Sequence, residues 1–183
     1  MKKVLLFATM AVLAACNSNT PAATNDTAKP ATDSAVAEIQ SPYAVDYSSK
    51  FAMDNPKNAE TVLKLWKDWD AGNLMASKDV FADSIMLNFS DGSSMHGHRD
   101  SVLAGVQQFR NTFASAVSTV NAVMAVKSRD KDENWALIWG KEVDTDKKGK
   151  VDSFYLQETW RFNKEGKADL VYQFKSAAAP PKK

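Results

Sequence analysis

Four long runs in which apolar and polar residues alternate, at 116–128, 135–144, 151–163 and 167–174, follow one another with only short polar breaks between them. Successive side chains of a strand point to opposite faces, so this two-residue period predicts strands. The breaks at 129–134, 144–149 and 163–166 are rich in Asp, Lys, Asn and Gly, and strands joined by such short turns run antiparallel. A meander of this length commits the C-terminal half of the chain to one sheet.

Helical signals come earlier. Asn55 followed by Pro56 is a start signal, and Ala59, Val62, Leu63, Trp66 and Trp69 then share one face, up to a stop at Gly72. A shorter helix is predicted over 74–80. A third is predicted over 99–113, with Val102, Leu103, Val106, Phe109 and Phe113 on one face and Asp100 at its positive end. Between them Ile85, Leu87 and Phe89 alternate with polar neighbours, and Asp91 with Gly92 supplies a hairpin turn. The expected class is α+β: three N-terminal helices covering one face of an antiparallel sheet.

The first residues have a different purpose. Lys2 and Lys3 precede a short apolar stretch that closes on Leu13, Ala14, Ala15 and Cys16, the pattern of an export signal and too short to span a bilayer. It resembles the bacterial lipobox, which implies cleavage before Cys16, acylation of that cysteine, and membrane attachment through two or more chains. Residues 1–15 are therefore expected to be a signal peptide and 16–42 a lipidated, Ala/Thr/Asn/Ser/Pro-rich tether. Residues 43–175 form the globular domain and 176–183 a flexible tail. Cys16 is the only cysteine, so no internal disulfide can form. Asn17 after it lacks the aspartate that retains some lipoproteins at the inner membrane, so the expected location is the outer membrane of a Gram-negative envelope.

Charge excludes one class of partner. Removal of Lys2 and Lys3 from 23 basic residues leaves 21 against 22 acidic, and no basic stripe is present, so nucleic acid is not an expected ligand.

The best chemical clue lies in the third strand run. There Phe154, Leu156, Glu158, Trp160 and Phe162 share a face, opposite Ser153, Tyr155, Gln157, Thr159 and Arg161. A carboxylate on an apolar face is costly unless it is paired, hydrogen-bonded, protonated or wet. Glu158 therefore marks either a pocket, an ion pair with Lys141 or Arg110, or a face turned outward into a dimer contact. Asp83 is a second acid that could face a cavity. Trp66, Trp69, Phe81, Phe89, Trp139, Trp160 and Tyr172 are the residues expected to line an apolar site. His96 and His98 are two apart in an expected turn, with no third ligand placed by spacing, so no metal is expected, nor any other cofactor.

The order of Ala71, Gly72, Asn73 and Leu74 after a Trp-rich helix, then Phe81, Ala82 and Asp83, Asp91 and Gly92, Gly97, a helix, and finally the run from Glu158 through Asn163 with Gly166 and Lys167, resembles the NTF2-like superfamily, in particular its SnoaL-like branch. The resemblance spans the globular part. It implies a strongly curved antiparallel or mixed sheet packed around the three helices, a cavity at the wide end of the cone, and homodimers through the sheet. The superfamily includes ketosteroid isomerase, whose pocket acid would correspond to Glu158. Its general base would fall on Phe89 and its helix tyrosine on Leu65, neither of which can hold or move a proton. Two functions follow: a tethered binding or accessory module that holds a small apolar or amphipathic ligand or docks another envelope protein, or a SnoaL-like hydrolase, dehydratase or isomerase with Glu158 as general acid/base and Asp83 assisting. The incomplete isomerase set favours the first.

Overall fold

The structure, a computed structural model, describes residues 39–178. The expected signal peptide, Cys16 and nearly all of the tether lie outside the described residues, as does 179–183. Seven strands form one sheet: β1 (Phe51–Met53), β2 (Phe81–Asn88), β3 (Ser94–His98), β4 (Phe113–Ser128), β5 (Glu133–Asp146), β6 (Val151–Phe162) and β7 (Ala168–Ala177). Two α-helices, α1 (Lys57–Asp70) and α2 (Arg99–Arg110), and a 3-10 helix (Leu74–Val80) complete the domain.

The sheet order is β1-β4-β5-β6-β7-β2-β3, antiparallel throughout except where β2 lies parallel to β7. The mixed, helix-covered sheet agrees with the expected class, but the three helices are not all N-terminal. The hairpin β2-β3 separates the 3-10 helix from α2. The proportion of strand is also higher than three full helices would leave. The middle helix is a 3-10 segment kinked at Ser77, whose buried hydroxyl is held by Lys64 and Asp68 of α1.

The meander β4-β5-β6-β7 follows the four alternating runs closely, because each run has an apolar face that only one register can bury. Ile138 of β5 pairs with Glu158 of β6, which pairs with Gln173 of β7. Register shifts interrupt β4 between Val120 and Ala122, and β6 and β7 at Arg161/Phe162; bulges of this kind bend a sheet and increase its twist. At the second, Asp169 accepts two hydrogen bonds from Arg161, from Nε at 3.0 Å and from the terminal nitrogen at 3.2 Å. β7 also extends through Ser176 and Ala177, residues expected to belong to the tail, because they still pair with Tyr155 and Phe154. The short β1 has too few residues to show alternation and was not predicted.

Helix α1 buries Ala59, Val62, Leu65 and Trp66, so Leu65 takes the place expected for Leu63. It stops where Gly72, at φ 72°, adopts the left-handed conformation that follows many helix ends. Its Trp66 ring lies against Gly140 of β5, where a Cβ would come within 2.6 Å of the ring and 2.5 Å of the Thr119 carbonyl. Helix α2 ends at Arg110 rather than Phe113. The Arg110 guanidinium is buried and donates to the carbonyls of Trp69 at 2.7 Å, Asp70 at 2.9 Å and Phe113 at 3.5 Å, which fastens α2 to the negative end of α1. Val62, Leu65, Val102, Leu103, Ile138 and Phe162 form the centre of the core between helices and sheet. The opposite sheet face carries exposed Val117, Tyr155, Tyr172 and Phe174.

Candidate functional site

The core does not fill the cone. A cavity of about 570 Å³ remains between α1, α2 and the inner face of β2, β5, β6 and β7, a volume in the range of small-molecule sites. Glu158 is one of its walls and is only 5 % exposed. Its Oε2 accepts from the indole N–H of Trp66 at 2.7 Å and of Trp160 at 3.0 Å, and its Oε1 from the Gln173 amide at 2.8 Å. Burial pushes the Glu158 pKa up, against the opposing pull of the three donors.

Neither Lys141 nor Arg110 pairs with it. Lys141 is out of phase with the inward-facing Ile138, Gly140 and Glu142 of β5, and the guanidinium of Arg110 is committed to backbone carbonyls. Nor does the Glu158 face turn outward, since Phe154, Leu156, Trp160 and Phe162 are all buried beside it.

Of the apolar residues expected at a site, Trp66, Trp69, Phe81, Phe89 and Trp160 line this cavity together with Glu158. Two others do not. Trp139 sits between the inward-facing Ile138 and Gly140, and Tyr172 between Val171 and Gln173, so alternation points both rings to the opposite sheet face. Asp83 is also elsewhere. It falls where β2 pairs neither with β7, whose ladder breaks between Phe81 and Met86, nor with β3, whose pairing begins at Ser84. Its side chain is 86 % exposed and faces Arg99 at 3.5 Å.

His96 and His98 lie on a strand rather than a turn and therefore on one side of it, both exposed. His98 Nδ1 accepts from the backbone N–H of Asp100 at 3.3 Å and caps α2. Among the described residues no group of three His, Cys, Asp or Glu side chains is placed to hold a metal ion.

Two further acids share the cavity and were not singled out from the sequence. Glu142 and Asp144 follow Ile138 and Gly140 along the inner face of β5, and both are buried. Burial first, and then the negative charge of Asp144, push the Glu142 pKa up to about 9. Asp144 is raised as well, chiefly by burial, with a hydrogen bond to Glu142 and the charges of Lys175 and Arg110 opposing. At neutral pH the pair therefore holds a proton between its two carboxyls, the arrangement expected when like charges meet in a dry site. Trp69 Nε1 leans toward Glu142 without completing a hydrogen bond, and among the described residues Asp144 Oδ1 has no partner. The cavity thus joins an aromatic wall to two acidic stations: one saturated with donors at Glu158, the other short of them at Glu142 and Asp144. Leu65 and Phe89, expected from the resemblance to stand where the isomerase has its tyrosine and base, are apolar lining of the cavity.

No protein-family model matches the sequence, and no curated protein matches it. Solved structures do match in shape. An NTF2-like protein of unknown function from Exiguobacterium sp. 255-15 is 15 % identical, with a TM-score of 0.54 over 64 % of this chain and 99 % of its own. SalBIII, an epoxide hydrolase/cyclase-like enzyme of pyran ring formation in the polyether salinomycin, is 15 % identical, with a TM-score of 0.54 over 67 % and 93 %. An LEH-like epoxide hydrolase from M. tuberculosis is 8 % identical, with a TM-score of 0.53 over 66 % and 83 %. At these identities the likeness speaks for architecture alone. The chain has the NTF2-like fold, shared with these hydrolase- and cyclase-like proteins.

Proposed function

We propose that the domain binds a small, mostly apolar molecule inside the cone. The observation that carries this reading is the 570 Å³ hollow itself, walled by Trp66, Trp69, Phe81, Phe89 and Trp160 and edged by buried carboxyls. A void of that size lined by apolar groups forgoes packing that a purely structural core would gain. The neutral fluorophore N-phenyl-1-naphthylamine is expected to bind at one site per chain with enhanced emission. Val106→Trp, which places an indole in the cavity from α2, is expected to abolish it. Wild-type protein that leaves the dye dark would defeat the reading, as would a Val106→Trp variant that binds unchanged.

A second reading, acid–base catalysis on the bound molecule, is supported by a specific observation. Glu158 and the pair Glu142–Asp144 are carboxyls whose pKa values are raised inside an apolar site, the setting in which a carboxylic acid can donate a proton near neutral pH. The hydrolase- and cyclase-like neighbours point the same way at low identity.

The domain is further proposed to be tethered in the cell envelope through acylated Cys16, at the outer membrane, on the strength of Leu13, Ala14 and Ala15 before it. Mass spectrometry of the mature protein is expected to find an N-terminal peptide beginning at a diacyl or triacyl Cys16. An unmodified N-terminus elsewhere would exclude the anchor.

A further inference from the structure

The end of the cavity formed by β5 is rich in acceptors and poor in donors. Glu142 and Asp144 bring four carboxyl oxygens to one place, and the proton they share satisfies only part of that capacity. Asp144 is 4 % exposed, borders the cavity, and leaves Oδ1 without a partner among the described residues. A buried acceptor of this kind normally has a protein or ligand donor. The charged and polar groups facing the pair do not supply one. From α1 comes the Trp69 N–H, which falls short of Glu142; from α2 comes Arg110, whose guanidinium serves three carbonyls. From β4 comes Ser118, opposite Glu142, whose hydroxyl is given to Asp70 of α1 at 2.8 Å, and from β6 come Asp152 and Glu158, both acidic. From β7 comes Lys175, an exposed side chain whose Nζ sits 3.5 Å from the centre of the Phe154 ring.

Lys175 also indicates what suits this end of the cone. Its ammonium rests on an aromatic face within the field of Asp144, a combination that attracts cations. A hydroxyl would bring one donor to the carboxyl pair. A primary ammonium brings three and also cancels the charge that burial penalises.

We propose that the cone takes a lipophilic primary amine, with its ammonium group between Glu142 and Asp144 and its hydrocarbon part against Trp66, Phe81 and Trp160. This rests on the reading of the cavity as a ligand site. Docking transfers the shared proton to solvent: the amine enters as R–NH₃⁺, the pair changes from singly protonated to doubly ionised, and one H⁺ leaves to the buffer. Glu142, now a full carboxylate, becomes the better acceptor for the Trp69 N–H beside it. Lys175 swings outward on its flexible stem.

The test compares 4-phenylbutylamine with 4-phenyl-1-butanol, which share one carbon skeleton, by titration calorimetry on the full chain. At pH 8 the amine is expected to bind at least about tenfold more tightly. Its affinity is expected to rise about tenfold per pH unit between pH 6 and 8, with one proton released as measured in buffers of different ionisation enthalpy. Glu142→Gln with Asp144→Asn is expected to remove the preference for amine over alcohol, and the wild-type proton release decides alone if that variant does not fold. An alcohol that binds as well as the amine, or an amine affinity flat in pH with no proton released, overturns the proposal and leaves the cavity reading standing. Failure of the amine, the alcohol and N-phenyl-1-naphthylamine together overturns both.

Discussion

Glu158→Ala is expected to cost the domain about 2–4 kcal/mol of unfolding free energy, while Glu158→Gln stays within about 1 kcal/mol of wild type. The difference comes from three donors. Alanine removes the acceptor of the Trp66, Trp160 and Gln173 N–H groups, and each buried donor left unsatisfied costs on the order of 1–3 kcal/mol, less where cavity water can replace the lost oxygen. Glutamine keeps an oxygen at the Oε2 position, where both indoles converge. Its amide nitrogen then faces Gln173, whose own side chain can turn over to present its oxygen. Urea unfolding of the three proteins reads the contrast directly. Equal losses for alanine and glutamine would mean that the carboxylate charge, rather than its acceptor role, holds α1 to β6.

The same contrast separates the functional readings. A ligand module should keep binding N-phenyl-1-naphthylamine when Glu158 becomes glutamine. An enzyme using this carboxyl as acid or base should lose turnover with its fold intact.

Glu158 was legible in the sequence because its strand has one unambiguous apolar face, Phe154 to Phe162 at every second position. Glu142 and Asp144 obey the same alternation one strand earlier but could not be read with equal force. Along β5 both faces are apolar: Trp135, Leu137 and Trp139 on one side, Ala136, Ile138 and Gly140 on the other. Alternation alone does not say which of these faces is inward, and Trp139 lies on the outer one. The choice is made by the helices, since only a glycine at 140 admits the Trp66 ring. Extending the face of Ile138 through Glu142 and Asp144 was the signal available, and it needed knowledge of which side α1 covers.

Local features are legible in this sequence, whereas pairings between distant segments are not. Gly72, the hairpin at Asp91 and Gly92, and the four strand runs depend on residues close in sequence. The parallel pairing of β2 with β7 joins segments more than eighty residues apart, and no local pattern encodes it. Asp83 was misplaced for that reason: its parity matches Phe81 and Ile85, but the broken ladder with β7 releases it to solvent.

Lowering the pH from about 9 to 6 is expected to stabilise this domain, and Glu142→Gln is expected to flatten that dependence. The folded pKa of Glu142, about 9, lies above the value of about 4.3 that a glutamate has in an unfolded chain. Between those values the folded state holds a proton that the unfolded state has lost. Stability from this group is therefore complete below the unfolded pKa and is lost as pH rises through the folded one, at up to about 1.4 kcal/mol per pH unit. Asp144 and Glu158 are raised too and act with the same sign. The lowered carboxyls Asp91, Asp130 and Asp132 are solvent-exposed and act in the opposite sense only as pH falls through their own acidic range. Glutamine at 142 is neutral at every pH, can still donate to Asp144, and removes the proton uptake of this group, so the variant should be the more stable protein at pH 8. Urea midpoints measured from pH 5 to 9 test this: a flat wild-type profile, or a variant profile parallel to it, would show that the pair does not share a proton. A residue whose replacement by its neutral isostere strengthens the fold is one the fold does not need, and its place beside an unpartnered Asp144 oxygen, inside an apolar hollow, is then best understood through what the cavity holds.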